Sequence, residues 1–221
     1  AQTKPTPSIP ALTIGDTVPD IEFTNLINYQ SRSARLSDFR GKLVILDFWE
    51  LGCSNCIIAL AKFDSLQKSF KDKIQIITVT KNKNKHQIIT YLSKIKIAKN
   101  ILLPIVTNDK FLFKFFPFEL ISHIVWIDPK GIVRAITSSE YVNSENVLAL
   151  LNNSNVDWPI KKDILEFDYS KPILASAETR FGSPAFIYSS AFTGFIDGVS
   201  ANNIILVDSL NKKIIINTLN Q

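Results

Sequence analysis

Cys53 and Cys56 are the only sulfur atoms of this 221-residue chain, which has no methionine. A Cys-x-x-Cys spacing allows three chemistries: thiol–disulfide exchange, metal ligation, or a structural clip. Exchange needs one sulfur facing outward at the positive end of a helix dipole, which favours thiolate over thiol. It also needs a second sulfur close enough to attack a mixed disulfide and release the substrate. Ligation needs further donors, and His86 and His123 bring the count to the four of a tetrahedral zinc site.

The flanking residues decide where the sulfurs stand. Leu43 to Phe48 is an apolar run that reads as a buried strand, and Ser54 to Phe70 reads as an amphipathic helix with Ile57, Leu60, Phe63 and Leu66 on one stripe. Cys53 then falls on a strand-to-helix turn and Cys56 one turn inside the helix. Asp47 lies six residues before Cys53 on the central strand. There its carboxylate would be desolvated, its pKa raised, and it could take the proton of Cys56. A hydrogen-bonded strand residue with no part in proton transfer is the plainer reading of the same aspartate.

Composition narrows the classes. With 46% hydrophobic and 20% charged residues the chain is an ordinary globular protein of one domain with an appendage, or two small domains. No apolar run approaches the ~20 residues that cross a bilayer. The net charge of +5 comes largely from lysines between 81 and 99. No arginine or aromatic platform interleaves with them, so nucleic acid is not expected as a partner. The chain begins Ala1-Gln2-Thr3, as expected after removal of a signal peptide or trimming of an expression boundary.

Along the chain, residues 1–11 hold three prolines and read as an extended leader. A strand is expected around Ile21-Glu22-Phe23, a turn over Leu36 to Lys42, a strand over Ile74 to Thr80 and a helix over Lys85 to Lys94. That helix would place Ile88, Ile89 and Leu92 inward. The phenylalanines between 111 and 118 read as a short helix or loop packed on the sheet, or as an exposed patch for a partner. Ile121 to Asp128 and Ile132 to Thr137 are strands joined by the turn Asp128-Pro129-Lys130-Gly131. Ser144 is the expected N-cap of a helix to Leu151. The alternation implies an α/β domain over 12–152, its mixed central sheet covered by helices on both faces. Residues 153–221 read as a β-rich extension, with strands at Ile164 to Phe167, Ala185 to Phe195, Ile204 to Val207 and Ile214 to Asn217.

Several motifs together resemble a known family. Asp47-Phe48-Trp49 followed by Cys53-x-x-Cys56 is similar to the thioredoxin active-site stretch. Gly15-Asp16-x-x-Pro19-Asp20 and Leu36-x-Asp38-x-x-Gly41-Lys42 are similar to the lead-in of the TlpA/ResA-like branch, which overlaps the AhpC/TSA families. Val125-Trp126-Ile127-Asp128-Pro129-Lys130-Gly131 resembles that branch's penultimate strand and hairpin. The likeness covers roughly residues 12–152, and the tail resembles the extra region that follows such domains in Bacteroidetes proteins. It implies a thioredoxin-like fold and exchange with protein thiols or disulfides in the periplasm or another extracytoplasmic compartment. A redox partner protein would regenerate the dithiol without a bound cofactor or metal. Cys53 would attack, Cys56 would resolve, and Asp47 would be the carboxylate beneath them. Trp49, Ser54, Asn55, Ile121 and Ser122 would face the substrate.

Three positions depart from the family. Gly52 stands where a tryptophan is usual, and Asn55 where proline often precedes the second cysteine. Ser122 aligns with the family's cis-proline. A cis bond before serine costs ~2.5–4 kcal/mol, so a trans peptide is expected, with the hydroxyl free to solvate the sulfurs. Other readings compete. A peroxidase needs a hydroxyl three residues before its cysteine, where Glu50 would repel a thiolate, so peroxidase activity is not expected. The alternative to exchange is a non-catalytic scaffold or interaction protein whose Cys53–Cys56 disulfide is structural.

Overall fold

The computed structural model describes residues 10–109, 111–154, 156, 158–159, 161 and 163–165, together with the backbone of 202–208 and 213–219. The chain divides into two compact units, Ala1–Lys161 and Lys162–Gln221. In the first, three two-residue strands, β1 (Glu22–Phe23), β2 (Leu26–Ile27) and β3 (Ala34–Arg35), precede a 3-10 turn at Leu36–Phe39. Then come β4 (Leu43–Phe48), α1 (Ser54–Phe70), β5 (Ile74–Val79), α2 (Lys85–Ser93), β6 (Ile105–Val106) and α3 (Leu112–Phe115). β7 (His123–Ile127), β8 (Val133–Thr137) and α4 (Ser144–Leu151) complete the series.

All six residues of β4 are buried, because this strand is central in a six-stranded sheet of order β2-β6-β5-β4-β7-β8. The α1 and α2 crossovers make β4, β5 and β6 parallel, whereas β7 runs antiparallel to β4 and β8 antiparallel to β7. Side-chain alternation along β4 divides the core. Leu43 and Ile45 join a cluster with Ile57, Leu60 and Phe63 of α1, Ile88 and Leu92 of α2, and Val147 and Leu150 of α4. Val44, Leu46 and Phe48 join the opposite cluster with Phe23, Leu36, Phe39 and α3 residue Leu112. The three longer helices therefore share one face, and the other is covered by the amino-terminal segment and one-turn α3. Each large α1 side chain buried this way contributes about 1.5–3 kcal/mol, so α1 is held firmly above β4.

Several local expectations are corrected. Ile89 is 52% exposed, so the inward stripe of α2 is Ile88 and Leu92. The cap of α4 is Asn143, whose Oδ1 accepts from Asn146 N at 2.9 Å, one residue ahead of Ser144. Both residue types cap helices, and the chain's path out of the preceding turn selects between them. Of the phenylalanine segment, Phe116 is buried and Phe113 and Phe118 lie against Phe48 with ring centroids 5.0 and 5.4 Å away. Packing on the sheet is the outcome, with only Phe111 strongly exposed. The hairpin turn forms as expected: Asp128 Oδ1 accepts from Lys130 N and Ile132 N, both at 2.9 Å.

In the second unit, β9 (Asn202–Asp208) and β10 (Lys213–Leu219) form an antiparallel ribbon with Val207 opposite Ile214. Of the strand expected over Ile164 to Phe167, Ile164 and Leu165 are not in a strand, Leu165 lying in a turn, and the rest lies outside the described residues. The strand expected over Ala185 to Phe195 lies outside the described residues. Among the described residues no helix is long and apolar enough to cross a membrane.

Candidate active site

β4 delivers the chain to the Glu50–Cys53 turn, and α1 begins at the next residue. Cys53 is itself the N-cap of α1: its Sγ accepts from Cys56 N at 3.2 Å. The first turn of α1 carries no acidic residue, so nothing offsets the positive end of the helix dipole there. A sulfur in this position is stabilised as a thiolate by the same amides that cap the helix. The two cysteines form a disulfide with Cα atoms 5.3 Å apart. Cys53 is half-exposed and Cys56 is buried, which divides them into an accessible sulfur and a sheltered one.

Asp47 shares the β4 face of Leu43 and Ile45, the face that α1 covers, between Thr78 of β5 and Ile124 of β7. It is 2% exposed, and burial alone pushes its pKa up to about 7. One carboxylate oxygen has no hydrogen-bond partner in the protein. The raised pKa follows because desolvation penalises the charged form and no cation or donor offsets it. A carboxyl poised between its two forms near neutrality is suited to proton transfer.

Trp49 is fully buried and packs in the cluster that holds Cys56 and, at its margin, Cys53. It is therefore a packing residue under the disulfide, and its place among substrate-facing residues is withdrawn. Ser54 and Asn55 are exposed on the first turn of α1. Ile121 is 38% exposed just before β7, and the pairing of Phe48 with His123 brings that segment to the same end of the sheet as the turn.

The Ile121–Ser122 peptide is cis, which corrects the trans expectation. Local cost argued for trans, but tertiary surroundings set the bond here. Ser122 Oγ accepts from Ser139 N at 2.8 Å in the turn after β8, so this oxygen ties two loops together.

The zinc constellation does not assemble. His123 faces the opposite side of the sheet, its ring stacked on Phe118 with centroids 4.6 Å apart and tilted against Phe48. His86 is exposed on α2. Among the described residues no three His, Cys, Asp or Glu side chains gather as metal donors.

Two neighbours of the dithiol make contacts that the sequence did not announce. Glu50, three residues before Cys53, accepts from Thr80 Oγ1 at 3.2 Å and from Lys81 N at 3.3 Å, clamping the turn to the end of β5. Tyr91 of α2 accepts the Gly52 N–H on its hydroxyl at 3.2 Å. Gly52 has φ +89°, a conformation suited to glycine, and no atom lies within 4 Å of where a Cβ would stand. The signal for Tyr91 was its place on the apolar stripe of Ile88, Leu92 and Ile95, but nothing local pointed it at Gly52.

A mixed sheet with a Cys-x-x-Cys disulfide at the turn from central strand to first long helix defines a thioredoxin-like protein. Two solved structures share the fold. One, described as the thiol:disulfide interchange protein DsbE of Chlorobium tepidum, superposes with TM-score 0.54 at 19% identity, over 64% of this chain and 99% of that one. The other, the thioredoxin domain of a thiol-disulfide oxidoreductase from Bacteroides vulgatus, has TM-score 0.50 at 21% identity, over 65% and 98%. The sequence model of the AhpC/TSA family matches residues 14–136, more than half of the 221 residues, and the chain belongs to that family. The thiol-disulfide oxidoreductase ResA of Geobacillus kaustophilus is 34% identical over 70 residues, a match spanning 31% of this chain and 38% of that protein.

Proposed function

We propose that this protein is a thiol–disulfide oxidoreductase that exchanges the Cys53–Cys56 pair with cysteines of partner proteins. The observation that carries the reading is the asymmetry of the pair: an accessible Cys53 sulfur capping α1, a buried Cys56, and a buried Asp47 on the sheet face below. The likeness to the ResA oxidoreductase over part of its length supports the same chemistry. In the reducing direction the Cys53 thiolate attacks a substrate disulfide, forming a mixed disulfide and releasing one substrate thiolate. Cys56 passes its proton to Asp47 and attacks the Cys53 sulfur, releasing the second substrate thiolate. Two electrons leave the protein, whose dithiol becomes the disulfide, and a reduced partner protein must restore it. The oxidising direction reverses each step.

Ser54, Asn55, Ile121 and Ser122 would line the approach to Cys53, and the compartment would be extracytoplasmic, as the TlpA/ResA-like motifs imply. Glu50 argues against peroxide chemistry, because it puts a carboxylate where a hydroxyl would hold peroxide. The decisive experiment is Cys56→Ser in the full chain. It should accumulate a mixed disulfide through Cys53 with a peptide disulfide, visible by mass spectrometry. If Cys53 of the reduced protein alkylates no faster than an ordinary free thiol at neutral pH, and no adduct forms, the disulfide is a structural clip.

A further inference from the structure

The flank of α2 joins two independent features beside the dithiol. The first is charge. Residues 81–108 contain six lysines (Lys81, Lys83, Lys85, Lys94, Lys96 and Lys99) and no aspartate or glutamate. All but Lys85 are exposed. Acidic side chains touch this stretch at its two ends: Glu50 accepts from Thr80 Oγ1 and the Lys81 amide, and Asp64 accepts from Leu102 N. The second feature is access. The Tyr91 hydroxyl sits 3.2 Å from Gly52 N, so α2 stands directly against the turn that carries Cys53. Gly52 leaves open the space a side chain would fill between them. An open groove of about 350 Å³ runs along this face, lined by Asn84, His86, Gln87, Thr90, Tyr91 and Lys94. Tyr91, which lines it beside Lys94, is the residue that touches Gly52, the neighbour of Cys53 in the chain.

We infer that this α2 face is the docking surface for the substrate and that the substrate class is acidic: protein segments whose disulfide is flanked by carboxylates. The inference rests on the exchange reading and adds the chemistry of what is exchanged. Opposite charge on the partner raises the encounter rate and orients the approach, whereas like charge is turned away. A polyanionic nucleic acid is the weaker match, because the chain has no arginine between Arg40 and Arg134 and the groove offers only Tyr91 and the His86 imidazole to stack a base.

The test compares two peptides with the same intramolecular disulfide, one flanked by Asp and Glu, its twin by Asn and Gln. Each is reduced in a single turnover by the reduced full-length protein. At about 0.01 M salt, where charge acts over ~30 Å, the acidic peptide should react roughly tenfold faster, and at about 1 M salt the advantage should vanish. A Lys85→Glu/Lys94→Glu double variant should bring the acidic-to-neutral ratio to one or below. Lys130→Glu, in the hairpin turn at the opposite end of the sheet, should leave that ratio as in the wild type. Equal rates for the two peptides at low salt, with both reduced, would overturn the docking face while exchange stands. Failure to reduce either peptide would remove the exchange reading, and the docking face with it. Tighter binding of a single-stranded oligonucleotide than of the acidic peptide at matched charge would reassign the face to nucleic acid and overturn the inference.

Discussion

Replacing Asp47 by asparagine keeps the shape of the buried side chain and removes its titration. In the native protein burial raises this pKa from 3.8 to about 7. The folded state therefore holds a proton that the unfolded chain has already lost between those values. Stability from this group is fully present below pH 3.8 and is lost as pH rises toward 7. Asp47 is 2% exposed, so solvent screening does not discount the effect. Roughly three pH units at 1.36 kcal/mol each give a loss of about 4 kcal/mol across the window. Urea denaturation of the oxidised wild type and Asp47→Asn from pH 4 to pH 8 isolates this contribution, since other groups cancel in the difference. The variant's advantage should grow by about that amount and level off above pH 7. The amide's own burial adds a constant that does not change with pH. A difference that stays flat over the whole range would mean that Asp47 is hydrated, and the proton-acceptor role would go with it.

Two further substitutions probe the supports of the site. Tyr91→Phe keeps the ring and drops the acceptor of the Gly52 amide, a bond worth about 0.5–1.5 kcal/mol. The pH profile of Cys53 alkylation should move upward as the turn loosens, with the thermal midpoint little changed; an unmoved profile would make the contact incidental. Thr137→Val removes the partner of the Trp126 indole, now 2.9 Å away and buried. The stranded N–H should cost about 1–3 kcal/mol in urea unfolding, and a smaller loss would show that the indole finds another acceptor.

What could be read from the sequence depended on whether one local pattern decided the outcome. The fully buried run of β4, the stripe of α1 and the Asp128–Gly131 turn each admit one solution, and the structure has it. Asp47 was legible because an acid inside such a run must be desolvated. Where contacts distant in sequence decide, residue type misled. His123 completes a four-donor count with the cysteines, but the register with Phe48 turns it to the far side of the sheet. Ser122 followed its neighbours rather than its own peptide preference. The two-residue strands β2 and β3 are too short to leave any periodicity.

The departures from the family fall on recognition rather than on sulfur chemistry, and there is a physical reason for that division. In the proposed mechanism what would activate Cys53 is backbone: the amides at the start of α1 and the dipole behind them, which any sequence forming this helix supplies. What would prepare Cys56 is its burial, with Asp47 buried on the sheet face that α1 covers, and the packed core supplies both. Neither depends on the side chain at position 52 or 55. A substrate, by contrast, meets side chains. Removing the one at Gly52 takes away the wall between Cys53 and α2, and Tyr91 holds the bare turn in its place. Altered substrate choice with unaltered exchange is therefore the expected consequence of these substitutions. A Gly52→Trp replacement would fill the space beside the turn and should narrow substrate choice. The φ of +89° at this position disfavours any side chain, so Cys53 alkylation must be read beside it to separate lost recognition from a strained turn.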